Sequence, residues 1–113
     1  MSSLRELQLQ VKTFRDERDW KQFHNFKDML LSLGLEVSEF SELFQWKSDS
    51  EVKNLPRESF GEELADILYW VLLFAEDLDI DLEQAFGNKM LKNEGKYPVD
   101  QARGKKEKYT SYK

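Results

Sequence analysis

From Leu64 to Ala75 every residue is apolar or aromatic except Asp66. A helix that is apolar on every side must be covered on every side. A carboxylate buried in such a helix has to be paired or bound to a metal ion. The expectation is therefore a buried third helix with an Asp66 that demands a cation.

Asp66 has company at a regular spacing. Glu63 precedes it by three residues, and Glu36 and Glu39 repeat that spacing in MLLSLGLEVSEFSELFQW. Three residues put both side chains of a pair on one helix face, close enough to hold one ion. Glu42 reads as a solvated acid, whereas Glu36 is flanked by Leu33, Val37, Phe40 and Leu43. Glu62 and Glu63 stand near a helix start, where acids complement the helix dipole. Asp66 lies more than a turn further in, and its structural alternative is a buried ion pair, for instance with Lys89. Four carboxylates offer only oxygen, which suits Mg²⁺ or Mn²⁺ rather than zinc. Such an ion shares its ligands with a substrate phosphate and activates water. Di-iron helical proteins need Glu-x-x-His pairs, and the single histidine, His24, has no acid three residues before it.

The whole chain narrows the choice further. Its 113 residues make one domain. A hydrophobic share of 40% excludes a disordered chain despite 35% charged residues. Without cysteine there is no disulfide framework or thiolate metal site, which fits a reducing cytoplasm. Met1-Ser-Ser leads straight into a charged amphipathic segment, so no signal peptide is expected, and the longest apolar run is too short to span a bilayer. Residues 1–87 carry 19 acids against 9 bases, and residues 88–113 carry 8 bases against 3 acids. The acidic body disfavours nucleic acid as a partner. The basic end suits a small polyanion that arrives with divalent cations.

Apolar spacing predicts a first helix over roughly residues 3–18 and a second over 27–47, with a stripe of Phe26, Leu30, Leu33, Val37, Phe40 and Phe44. RDWKQFHN and SDSEVKNLP read as loops. Pro56 suits the first turn of a third helix reaching Leu78. Asp81, with Gln84 three residues on, caps a fourth that runs to Glu94 and stops at Gly95. Residues 99–113 read as a polar, mobile, basic tail after a domain over residues 1–98. The class is all-α with four helices, and the third helix implies a partner subunit, at least a dimer. Trp20, Phe23 and His24 share one loop, and Trp46 ends the second helix. Such aromatics either stack on a nucleobase or pack at the rim of the core, and the residues alone leave both open.

EVSE followed by EELAD in an all-helical chain resembles the MazG-like nucleoside triphosphate pyrophosphohydrolases. RDWKQFH, ELFQWK, EELADILYW and KMLKNEGKYP resemble the small dCTP pyrophosphatase branch of that family, over roughly residues 4–98. The resemblance implies a four-helix MazG-like bundle completed by subunit association, as a dimer or tetramer. It also implies Mg²⁺-dependent hydrolysis of a (deoxy)nucleoside triphosphate, dCTP first, to monophosphate and pyrophosphate, in the house-cleaning of nucleotide pools. By it Glu36, Glu39, Glu63 and Asp66 are catalytic metal ligands, with Glu63 chosen over Glu62. Trp20, Phe23, His24 and Trp46 match positions that enclose the nucleoside, and Lys89 and Asn93 match positions that reach phosphates or sugar. Trp70 stands where relatives carry tyrosine, which makes its contact with a phosphate doubtful. The rival reading is a non-enzymatic helical module whose acids bind a basic partner, and a buried Asp66 would argue against it.

Overall fold

The computed structural model describes residues 3–112; residues 1–2 and 113, at the outer ends of the two segments expected above, lie outside it. Short polar side chains start most of its helices by satisfying backbone N–H groups that have no helical partner. Ser3 accepts from the Glu6 N–H at 3.2 Å and opens α1, Leu4–Glu17. Asn25 accepts from the Asp28 N–H at 2.9 Å and opens α2, Phe26–Glu42. Ser48 and Glu51 cap each other reciprocally around a short α3, Asp49–Lys53. Pro56 immediately precedes α4, Arg57–Asp77. Asp81 accepts from the Gln84 N–H at 3.1 Å and opens α5, Leu82–Lys96. Pro98 precedes the single turn α6, Val99–Ala102, and 3₁₀ turns occupy Lys21–Phe23 and Tyr109–Ser111. No strand occurs among the described residues.

The fold is all-α, as expected, with four long helices and several corrected boundaries. The second helix stops at Glu42 rather than Lys47: the N–H groups of Leu43 and Phe44 turn to carbonyls three residues back, and Trp46 takes a left-handed φ of 64°. SDSEVKNLP is not all loop, because its capping box sustains α3. The fourth long helix passes through Gly95 to Lys96. The segment read as a mobile tail folds back on α5, where Tyr97 meets Tyr109 and Tyr112 edge-on with ring centroids 5.8 and 5.9 Å apart.

α2 and α4 form an antiparallel pair. Phe26 stacks on Phe74 near one end of it, while Phe40 and Phe44 meet Phe60 near the other. α1 crosses the C-terminal half of α4, with Phe14 edge-on to Tyr69. α5 packs on α1 and makes no comparable contact with α2. Coverage of α4 is consequently one-sided. Among the described residues the buried hydrophobics are Met29, Leu72, Leu73 and Ala75, while Leu30 of the expected stripe is 61% exposed and Leu64 is 51% exposed. The radius of gyration is 17.8 Å, against about 13 Å for a compact domain of this size. The accessible surface is 8985 Å², against about 6,500 Å² for a compact monomer of this mass.

One buried contact fixes α1 on α4. Arg15, fully buried, donates from Nη1 to Asp77 Oδ2 at 2.8 Å and from Nη2 to Oδ1 at 2.6 Å. Planar two-point pairing is the strong form of this contact. Gln8, also buried, donates its amide to Glu76 Oε2 at 3.1 Å and to the Ile80 carbonyl at 3.3 Å. Hydrogen bonding from Arg15 holds the Asp77 carboxyl below its ordinary range.

Asp77→Asn leaves a buried guanidinium without its counter-charge and should cost about 3–5 kcal/mol. Because the folded pKa of Asp77 lies below its unfolded value, the pair contributes fully above the unfolded value. The contribution is lost as pH falls through the folded one. Urea unfolding at fixed protein concentration should therefore separate wild type from variant at pH 7 and bring them together in strong acid. Equal midpoints at pH 7 would show that the pair adds nothing.

Candidate metal centre

The antiparallel α2–α4 pair sets the two acid pairs opposite each other. Glu36 and Glu39 lie in the second half of α2, and Glu63 and Asp66 in the first half of α4. One carboxylate oxygen each from Glu36, Glu39 and Glu63 falls within 4.8 Å of the others. Glu36 and Glu63 are half-buried, and Oε2 of each is shielded from solvent without a hydrogen-bond donor. Burial, reinforced by the charges of Glu39 and Asp66, pushes the carboxyls of Glu36 and Glu63 above the ordinary carboxylate range. Among the described residues no lysine or arginine pairs with any of the four acids.

Asp66 departs from expectation. It is exposed in this chain and lies outside the convergent trio. It still acts on Glu36 and Glu63 through its charge. The proposed ion pair with Lys89 does not form. Burial of Asp66 therefore does not separate a metal site from an acidic docking surface. Convergent carboxylate oxygens without donors form a group that could hold a hard cation, and protonation is the other way to relieve their repulsion.

The aromatic residues divide. His24 lies against Trp70, with ring centroids 5.2 Å apart, and Trp70 stands four residues beyond Asp66 on α4. Burial, and secondarily the charge of Arg15, lowers the pKa of His24, and its Nδ1 has no partner. Trp20 packs edge-on against Phe14 at 5.7 Å, and Phe23 is exposed. Trp46 is 92% exposed, so it does not pack in the core of its own chain. A left-handed backbone is costly for a bulky residue, which makes its placement an outlier of the kind found at functional sites. Lys89 and Asn93 lie on α5, apart from the α2–α4 pair. Sequence reasoning missed the Arg15–Asp77 pair beside His24. Its signal was an arginine four residues after Val11, in line with the apolar stripe of α1.

The MazG-like family model matches residues 31–111. The chain is 44% identical over 102 residues to dCTP pyrophosphatase 1 of Mus musculus and 43% identical to that of Homo sapiens; each alignment covers 86% of this chain and 60% of the relative. The chain thus spans about 60% of the length of these curated relatives. Among solved structures, a pyrophosphatase from Archaeoglobus fulgidus matches with a TM-score of 0.76 at 35% identity, covering 87% of this chain and 94% of that one.

Repulsion within the acid cluster gives a testable signature. A carboxyl whose folded pKa is raised takes up a proton more readily in the folded state, so the apo protein should gain stability from this cluster as pH falls from neutral toward that pKa. Mg²⁺ or Mn²⁺ should relieve the same repulsion, raising Tm on the order of 10 °C at a hundredfold excess over Kd. Glu63→Gln and Asp66→Asn should fold, melt no lower than wild type without metal, and lose most of the metal-induced rise. Differential scanning calorimetry with and without each cation checks this. A variant that melts far lower in the apo state would make these acids structural.

Proposed function

The chain belongs to the MazG-like family, and we propose that it is a divalent-metal-dependent nucleoside triphosphate pyrophosphohydrolase. The observation that carries the reading is the convergence of Glu36, Glu39 and Glu63 within 4.8 Å. The named activity of the mouse and human relatives supports a deoxynucleoside triphosphate, dCTP first, as substrate. Among the described residues no helix is long and apolar enough to cross a membrane. A cytoplasmic housekeeper of nucleotide pools, without a nucleic-acid partner, fits this and the acidic body. The excess surface supports a homo-oligomer, dimer or tetramer.

Glu36, Glu39, Glu63 and Asp66 would hold Mg²⁺, with Mn²⁺ as a substitute. The bound ion supplies charge neutralisation for the triphosphate and acidifies a water molecule. The residues do the rest. One of the four acids, with Glu36 and Glu63 the candidates because Oε2 of each accepts from no protein donor, would take the proton of the attacking water. Water adds at the α-phosphorus, the bond to the β-phosphate oxygen breaks, and monophosphate and pyrophosphate leave. His24, neutral at pH 7, offers one donor and one acceptor beside Trp70 to a base edge. Trp20, Phe23 and Trp46 supply stacking surface for the nucleoside, and Lys89 and Asn93 supply polar contacts to phosphates and sugar.

The exposure of Asp66 favours the rival reading, an acidic surface that binds a basic protein. One assay separates the two. With Mg²⁺, a panel of dCTP, dATP, dGTP and dTTP should yield pyrophosphate and monophosphate, with dCTP turned over best. Release of orthophosphate and a diphosphate as first products would overturn the bond assignment, and absence of turnover across the panel would favour the rival.

Trp46→Ala removes a stacking surface worth about 1–3 kcal/mol. It should raise KM roughly tenfold to a hundredfold and flatten the ranking of bases. Stability should change little, because the side chain is exposed and leaves no packing behind, while alanine keeps the Cβ that makes the left-handed backbone costly. Steady-state kinetics on the four dNTPs tests this. Unchanged KM and ranking would remove Trp46 from the site.

A further inference from the structure

We propose that the buried Arg15–Asp77 pair is a positioning pair for His24: it seats the turn between α1 and α2 on α4, so that the imidazole meets the substrate base in one pose and one protonation state. The inference rests on the hydrolase reading above and concerns recognition of the base, not the chemistry at phosphorus.

Arg15 holds both α4 and the turn. Its guanidinium pairs with Asp77 at two points, 2.8 and 2.6 Å. Its carbonyl accepts from the N–H groups of Arg18 and Trp20, each at 3.2 Å, and so fixes the entry of the turn. Beyond it Asp19 takes a left-handed φ of 53°, and the Gln22 amide donates to the Asp19 carbonyl and carboxylate at 3.0 Å. The His24 N–H donates to the Lys21 carbonyl at 3.0 Å. The turn is thus braced along its length, and its far end rests on α4 where His24 lies against Trp70. Trp70 and Asp77 are seven residues apart, about two helical turns, and share one side of α4. Both ends of the turn therefore seat on the helix that also carries Glu63 and Asp66.

Stability does not require these charges. Apolar residues of similar volume commonly replace a buried ion pair without loss, and α1 is also docked on α4 through Phe14 against Tyr69 and through Gln8. What the pair adds is a planar, directional contact and a field at the ring. Nδ1 of His24 is shielded without a partner, so an imidazolium would bury a donor with no acceptor. Burial resists protonation first and the charge of Arg15 on α1 second, while Asp77 on α4 opposes them less. Lys21, on the turn itself, acts on Asp77.

His24 is the single histidine of the chain, so its ring signals in an NMR titration report on it without any assay. Arg15→Met combined with Asp77→Leu should melt close to wild type or above it. Its His24 should titrate at higher pH than in wild type, because Arg15 outweighs Asp77. KM for dCTP should rise about threefold to tenfold, the worth of one misaimed hydrogen bond, with kcat within about twofold. The acid limb of kcat/KM should move to higher pH together with the NMR curve. In a His24→Ala background the same pair of substitutions should leave KM within about twofold, since the effect runs through the ring.

Arg15→Lys keeps the charge and loses the two-point fork, and it serves if the apolar variant does not fold. It should raise KM while leaving the titration near that of wild type. A folded apolar variant with wild-type titration and KM would overturn the proposal, as would wild-type KM in Arg15→Lys. An equal rise in KM with and without His24 would overturn it too, because the pair would then act on the fold at large. A wild-type protein that releases no pyrophosphate would instead overturn the hydrolase reading, and the titration would still decide whether the pair governs His24.

Discussion

The pairing of α2 with α4 is the contact on which the site depends. Each helix carries its acids at a three-residue spacing, and a third carboxylate joins a pair only across the two helices. Antiparallel packing, marked by Phe26 on Phe74 at one end and Phe40 with Phe60 at the other, brings Glu36, Glu39 and Glu63 together. The cluster is electrostatically uphill, because burial and mutual repulsion both favour the protonated acids. Packing must hold these charges against that tendency. Binding a cation would turn the same arrangement from a cost into a stabilising contact.

Much of this was legible in the sequence. The 3.6-residue period marked the long helices, and Asp81 with Gln84 marked the start of α5. Spacing at three put Glu36 beside Glu39, and the resemblance matched Glu63 with Asp66. What escaped was whatever depends on how many neighbours a helix has. Asp66 sits in an apolar run, yet one chain covers only one side of α4, and periodicity cannot say which side. The same fact leaves Leu30 and Val37 of the expected stripe exposed and buries Met29 instead. Local hydrogen bonding was also underestimated. Ser48 and Glu51 suffice to nucleate a short helix in a segment that looks like a loop, and three tyrosines suffice to fold back a tail whose composition reads as disordered.

The Arg15–Asp77 pair shows a different kind of blindness. Single residues of opposite charge 62 positions apart carry no local signature. Its consequence reaches the site, because the pair fixes the end of α1 from which the His24 loop departs. Arg15 and Asp77 also act on His24 in opposite senses, the first lowering its pKa and the second raising it, with burial the larger influence. The result is a neutral imidazole against Trp70, able to donate and accept at once.

The site thus joins two mechanical regimes. The carboxylates stand on helices whose packing fixes them, as hard-cation ligands require. The aromatics Trp20, Phe23, His24 and Trp46 stand on the turns that follow α1 and α2. There backbone hydrogen bonds are fewer, and Trp46 occupies a conformation that a helix could not offer. On the hydrolase reading proposed above, the chemistry common to all nucleoside triphosphates would fall to the rigid part, since every such substrate brings the same phosphates. On the same reading, recognition of the base would fall to the turns, where a substitution can alter preference without disturbing the acids. Reaction and selectivity could then change independently along the chain, with the acids of EVSE and EELAD setting the first and the aromatics of RDWKQFH the second.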